Sequence, residues 1–276
     1  MRQSMFRVWA AVWSIVIGVT FLGVTVLTLA LWLTDPGYTE TTPVGDLSFF
    51  ALGAIIGVGL ACQLRRAEQR IAGLQQAGIG ILSLGGAGVI GARIEPAIGA
   101  VLLLLVVAVL VGLHPARREI FAPGPGIDVP VLALSVLAGV PAIGYAVSML
   151  DLAVEAGPSC FLGQCARGDR FAEMAAATIA IVLAGGLAGF RTPGWRLPLW
   201  SAGAGAILIG STSIAISDAT GSLGLGWGSL AVIWGVLLIV IGERRGRHRP
   251  PPTTALFEEG DVLTPSRGPG SRSGSV

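Results

Sequence analysis

The chain has 276 residues, of which 53% are hydrophobic and 12% charged, and a mean hydropathy of +0.77. A soluble globular domain is about 25% charged, so this composition excludes an ordinary soluble fold. The net charge of +2 is small, and all 18 basic residues are arginine. Without lysine, Schiff-base chemistry, a retinal linkage included, is excluded. No nucleic-acid partner is expected.

A bilayer core of about 30 Å requires roughly 20 helical residues, whereas a transmembrane β-barrel shows alternating polarity over segments of about 10. The uncharged apolar runs here are continuous, which predicts an all-α polytopic bundle. After the basic start MRQSMFR comes the run 8–33. It is too long for a signal-peptide core of about 7–15 residues, and Trp9 and Trp32 stand near its ends as interfacial anchors. Seven further spans are predicted at 47–64, 71–90, 97–113, 129–150, 171–190, 200–217 and 223–242. The third and fourth are joined by RIEP and the seventh and eighth by SDATGS, so each pair is expected to form a tight helical hairpin. Every arm is long enough to cross, which favours eight spans over six with re-entrant hairpins.

Arginine placement sets the expected orientation. With the amino terminus inside, the inner segments hold thirteen arginines, from Arg2 and Arg7 to Arg244, Arg245, Arg247 and Arg249. The outer segments hold three, Arg93, Arg167 and Arg170, together with Asp35, Glu40, Asp46, Asp151, Glu155 and Asp169. Both termini are therefore expected on the cytoplasmic face of a bacterial plasma membrane. The basic cluster ERRGRHRPPP closes the last span, and Arg244, Arg245, Arg247 and Arg249 are candidates for contact with anionic lipid, each attracted by about 1 kcal/mol. Beyond it, Pro, Gly, Ser and Thr dominate, so the tail 243–276 is expected to be disordered.

The two halves follow one plan. In each, the first span leads into that half's longest outer loop, 34–46 or 151–170. The third span opens with a matching pattern, AGIGILSLGG or AGAGAILIGS, and the fourth ends in a double arginine, Arg117–Arg118 or Arg244–Arg245. This divides the chain into four-helix units at 1–126 and 127–242. An even number of spans per unit makes the copies parallel, related by an axis along the membrane normal.

The two hairpins, AGIGILSLGGAGVIGARIEPAIGAVLLLLVVAVLVG and AGAGAILIGSTSIAISDATGSLGLGWGSLAVIWGVLLIVIG, resemble the paired-helix repeats of the bacterial acid-resistance membrane protein family over about a third of the chain. The resemblance implies a multi-pass, stress-linked protein and no defined reaction.

Forty-one glycines cluster in the spans. The pairs Gly53/Gly57, Gly185/Gly189 and Gly224/Gly228 each put two small residues on one helix face, where backbones can approach. Packing within the bundle is the expected use and homo-oligomerisation or a membrane-protein partner the alternative. Gly86, Gly88 and Gly91 reproduce a dinucleotide fingerprint on paper but lack the strand and βαβ context it requires. Cys160 and Cys165, facing an oxidising exterior, are expected to form a disulfide closing CFLGQC. They lack the C-x-x-C spacing and neighbouring histidine of a redox pair. Cys62 reads as a small packed residue, and His114 as a helix cap.

No ionisable residue falls at the centre of a predicted span, where such groups mark proton relays and ion paths. No catalytic, metal-binding or cofactor-binding residue is assigned. Gly139 and Pro141 are expected to kink the fifth span and free backbone carbonyls. With Ser211, Thr212 and Ser213 of the seventh they form the candidate hinge or cavity. The expected function is a non-enzymatic scaffold, partner-binding or envelope-stress protein, the alternative being a channel or carrier for a neutral or apolar small solute.

Overall fold

A computed structural model describes residues 2–34, 43–65, 67–122, 124, 126–157 and 166–247. These form eight helices: α1 (Arg2–Thr34), α2 (Pro43–Ala61), α3 (Ile71–Ile90), α4 (Ile94–Leu113), α5 (Val129–Glu155), α6 (Ala166–Gly189), α7 (Arg196–Ala215) and α8 (Gly224–Arg247). Two 3₁₀ turns, Cys62–Leu64 and Ala67–Gln69, connect α2 to α3. Among the described residues there is no strand. All eight helices are long and apolar enough to cross a membrane, a set that fits a multi-pass membrane protein.

The helices overrun the apolar windows that announced them. α5 continues to Glu155 instead of stopping at residue 150, α6 begins at Ala166 instead of 171, and α8 ends at Arg247 instead of 242. Hydropathy marks where a chain enters hydrocarbon, while the i→i−4 hydrogen bonds of a helix continue into the interface. The expected outer loop 151–170 therefore shrinks to 156–165. Likewise Asp46, expected in a loop, lies in the first turn of α2 behind Pro43, a residue preorganised for a helix start.

Two classes of helix separate by burial. Between 50% and 67% of the span residues of α2, α3, α6 and α7 are buried, against 17–28% for α1, α4, α5 and α8. The first four make the centre of the bundle, with α2 against α3, α6 and α7, and α6 against α3 and α7. The others lie outside as arms, α1 on α2, α4 on α3, α5 on α6 and α8 on α7. Alanine makes the centre thin: Ala172, Ala175, Ala176, Ala177, Ala180, Ala184 and Ala188 of α6 are all buried. Small residues let α6 take neighbours on several sides, which suits association in a solvent as apolar as the side chains.

The tightest crossings are between glycines of different helices. A Cβ built on Gly203 would lie 2.9 Å from the Gly235 carbonyl oxygen, and one on Gly235 2.6 Å from that of Gly203. Gly210 and Gly228 repeat this at 2.6 and 2.9 Å. The glycines on each helix are seven residues apart, two helical turns, so α7 and α8 run antiparallel with their backbones touching twice on one seam. Gly59 of α2 and Gly73 of α3 make a third such crossing, with distances of 2.4 and 2.8 Å.

Candidate functional site

α5 and α8 stand apart over a floor made by α6 and α7 and enclose a lateral groove of about 680 Å³, within the roughly 300–1,000 Å³ typical of small-molecule sites. Pro141, Ala142 and Tyr145 of α5 line one wall, Trp227, Leu230 and Trp234 of α8 the other, and Ile181 and Ala206 belong to the floor. Two hydrogen bonds frame it. The Tyr145 hydroxyl donates to the Gly221 carbonyl (2.6 Å) and the Trp234 indole N–H to the Leu134 carbonyl (2.9 Å). The hydroxyls of Thr178 and Ser222 are likewise engaged, donating to the Met174 (2.9 Å) and Ser213 (3.0 Å) carbonyls. The walls are thus hydrocarbon and aromatic, with these polar side chains already bonded within the protein.

The expected hinge or cavity residues do not come together. Pro141 lines the groove, and its ring removes the N–H that would have bonded the carbonyl of Leu137, another lining residue. Gly139 is half-buried, facing Val182. Ser211 is exposed, Thr212 donates back to the Leu208 carbonyl (2.8 Å), and Ser213 is fully buried. Helical hydroxyls find the i−4 carbonyl before they find a ligand, so the polar run serves its own helix. Gln76, fully buried, donates to Ile55 O (2.7 Å) and Ser201 Oγ (3.1 Å), and Gln75 to Ile120 O (2.6 Å).

The small-residue pairs face specific neighbours. Cβ atoms at Gly53 and Gly57 would meet Phe21 and Ile17 of α1 at 2.1 and 3.4 Å. At Gly185 a Cβ would fall 2.8 Å from Ser135 Oγ, and at Gly189 3.2 Å from Leu132, both on α5. Gly228 packs on Gly210 as described. Gly224, expected to share that face, does not: it opens α8 at φ +67° with nothing within 4 Å of a Cβ, so its role is conformational.

Charged side chains gather at the two ends of the bundle. At the acidic end the guanidinium of Arg170 on α6 lies between Asp46 of α2 (3.2 Å) and Glu173 (2.6 Å). Its Cζ sits 4.2 Å from the centre of the Phe49 ring, which in turn stacks on Phe21 at 4.3 Å. Arg93, in the α3–α4 turn and 1% exposed, approaches Asp169 at 3.9 Å and donates to the Ala153 carbonyl at the end of α5. These residues are not the interfacial loop charges their sequence positions suggested; the helix overrun carries them into the packed bundle. Only Asp46-x-x-Phe49 and Arg170-x-x-Glu173, at helical spacing, signalled the arrangement beforehand.

At the arginine-rich end Asp128 caps α5, accepting from the Val131 N–H, and pairs with Arg191. Arg191 lies 3.6 Å over the Trp195 ring and donates to the Gly242 carbonyl (3.3 Å). His114 ends α4; its Nδ1 accepts from the Ala116 N–H (3.1 Å) and its ring meets Phe6 edge-on at 5.3 Å. Burial lowers its pKa from 6.5, against the opposing pull of the Ala67 carbonyl and of Glu68 and Glu119. Arg244, Arg245 and Arg247 are exposed in the last turn of α8. Cys160, Cys165 and Arg249 lie outside the described residues, and Cys62 is a half-buried free thiol. Among the described residues, no three His, Cys, Asp or Glu side chains are grouped as a metal site.

Comparison of the chain with protein-family models, with curated proteins and with solved structures finds no match in any of the three.

Proposed function

We propose that the chain is a non-enzymatic protein of the bacterial plasma membrane that acts as a static scaffold, with both termini cytoplasmic and two parallel four-helix units as its frame. Exchanging helices α1–α4 for α5–α8 maps the packing onto itself: α2 on α7 becomes α6 on α3, and each outer arm becomes its counterpart. That supports the duplicated plan, and the gathering of arginine at the end holding both termini supports the orientation. The observation that carries the scaffold reading is a set of buried links between the halves at three depths. Asp46–Arg170 and Arg93–Asp169 join them at the acidic end, Gln76–Ser201 in the interior, and Ala72 N–H to the Pro193 carbonyl (3.0 Å) at the other end. A rocking carrier separates its repeats at one face and then the other; links throughout suit a body that stays closed. The outer loop, stapled by Cys160 and Cys165, and the tail are then the surfaces offered to partners. The resemblance to the acid-resistance family makes envelope stress the setting in which to look.

Locking the halves tests this reading. A strain carrying Gln76→Cys/Ser201→Cys, crosslinked with a short bifunctional thiol reagent, is expected to survive acid or detergent stress as the unlinked strain does. Loss of survival on crosslinking, reversed by a reductant, would instead require relative motion of the halves.

One observation favours a second reading, a carrier or holder of an apolar small solute. The groove between α5 and α8 is of ligand size, and Pro141, the residue best placed to bend α5, stands in its wall.

A further inference from the structure

The groove lies wholly within segments able to cross a membrane, and its rim side chains Leu137, Trp227, Leu230 and Ile233 are exposed away from the bundle. A molecule reaching it therefore arrives sideways through lipid. On α5 the lining runs from Leu134 to Tyr145, about 16 Å of helix rise and so about half of a ~30 Å hydrocarbon core. Along α8 it runs from the helix start to Leu237, so the groove begins at the acidic end and is closed at depth by the Trp234–Leu134 hydrogen bond. A polar ligand would be stripped of water here with few groups to bond it, because Tyr145, Thr178, Ser222 and Trp234 are bonded within the protein. A hydrocarbon chain pays no such penalty.

Charge at the mouth narrows the occupant further. Tyr145 bonds the carbonyl of Gly221, three residues from Asp218 in the α7–α8 turn, and Asp151 and Glu155 follow Tyr145 on α5. All three acids are exposed. The arginines described at this end, Arg93 and Arg170, are buried in the ion-pair cluster. An anionic headgroup would meet like charge, whereas an ammonium-bearing one would meet its complement.

We propose that the groove between α5 and α8 is a binding site for one hydrocarbon chain of a zwitterionic, amine-headed membrane lipid, entered from the leaflet at the acidic end. This deepens the second reading above and rests on the groove taking an apolar molecule. Gly144 lines the groove and has nothing within 4 Å of a Cβ, so Gly144→Phe fills the space without a clash at Cβ. Gly18 on α1 is equally open and lies elsewhere, so Gly18→Phe is the control.

The full chain in detergent, incubated with dioleoylphosphatidylethanolamine, is expected to retain one lipid by native mass spectrometry. Occupancy should fall at least tenfold in Gly144→Phe and stay unchanged in Gly18→Phe, with unaltered thermal unfolding of both. Dioleoylphosphatidylglycerol should be retained at least tenfold less, and Asp151→Asn/Asp218→Asn should narrow that difference. Undiminished retention by Gly144→Phe overturns the site, and equal retention of the two lipids overturns the headgroup assignment. Pyrene separates this proposal from its foundation. Pyrene binding lost in Gly144→Phe while lipid retention persists sinks the lipid and leaves the apolar groove, whereas loss of neither sinks both. Should Gly144→Phe fail to fold, one equivalent of chain-brominated phosphatidylethanolamine must quench a fluorescence component of the wild type that is missing in Trp227→Phe; otherwise the proposal fails.

Discussion

Arg170 shows how a residue's meaning changes once its neighbours are known. In the chain it sits 124 positions after Asp46 in a different polar segment; in the bundle one guanidinium touches Asp46 and Glu173 and covers Phe49. No spacing rule reaches across 124 residues, so sequence patterning could not find the pair. The same holds for Arg93, which reads as a charged turn residue and is buried against Asp169 and the end of α5. Removing one partner of such a cluster leaves buried charge uncompensated, at a typical cost of about 3–5 kcal/mol. Arg170→Leu is expected to lose that much stability in equilibrium unfolding in micelles, and Asp46→Asn in the same background to recover part of it by removing one stranded carboxylate. A loss under ~1 kcal/mol, the size for an exposed pair, would mean that water reaches the cluster.

At the scale of the helix, what was legible follows from what hydropathy measures. All eight crossings were readable because each must match the bilayer, and α3 spans the predicted 71–90. Helix ends were not, since an α-helix continues wherever its carbonyls find donors, as α5, α6 and α8 do. Small-residue spacing was half legible. Gly53 and Gly57 face α1, and Gly185 and Gly189 face α5, but the seam joining α7 to α8 uses glycines seven apart, a spacing that only the partner helix makes meaningful. α8 supplies a matched comparison. A Cβ at Gly228 would lie 2.9 Å from the Gly210 carbonyl, while one at Gly226 meets nothing within 4 Å. Gly228→Ala is therefore expected to destabilise by about 1–3 kcal/mol through overpacking. Gly226→Ala should be neutral or stabilising by up to about 1 kcal/mol through helix propensity. Thermal unfolding of the two variants checks the seam, and equal behaviour would mean that α8 slides to absorb the methyl group.

For the whole molecule, the division at 1–126 and 127–242 describes a repeated plan rather than two self-sufficient bodies. The most buried helices, α2 and α6, are covered largely by each other's half, α2 by α6 and α7 and α6 by α2 and α3. Separating the halves would expose Asp46 without Arg170 and Gln76 without Ser201, and buried polar groups without partners are what a bilayer tolerates least. The connection between halves is less demanding. Residues 114–128 run at the arginine-rich end, where Gln75 holds the Ile120 carbonyl and the Asp128 N–H bonds the Gly189 carbonyl. Neither bond needs the peptide link between Ala122 and Pro123. Fragments 1–122 and 123–276 are therefore expected to be degraded when made singly and to accumulate together as a complex when co-expressed, read by co-purification through a tag on one of them. Stable accumulation of either fragment alone would show that a four-helix unit buries its own central helix, and the interlocked centre would lose its claim to hold the molecule together.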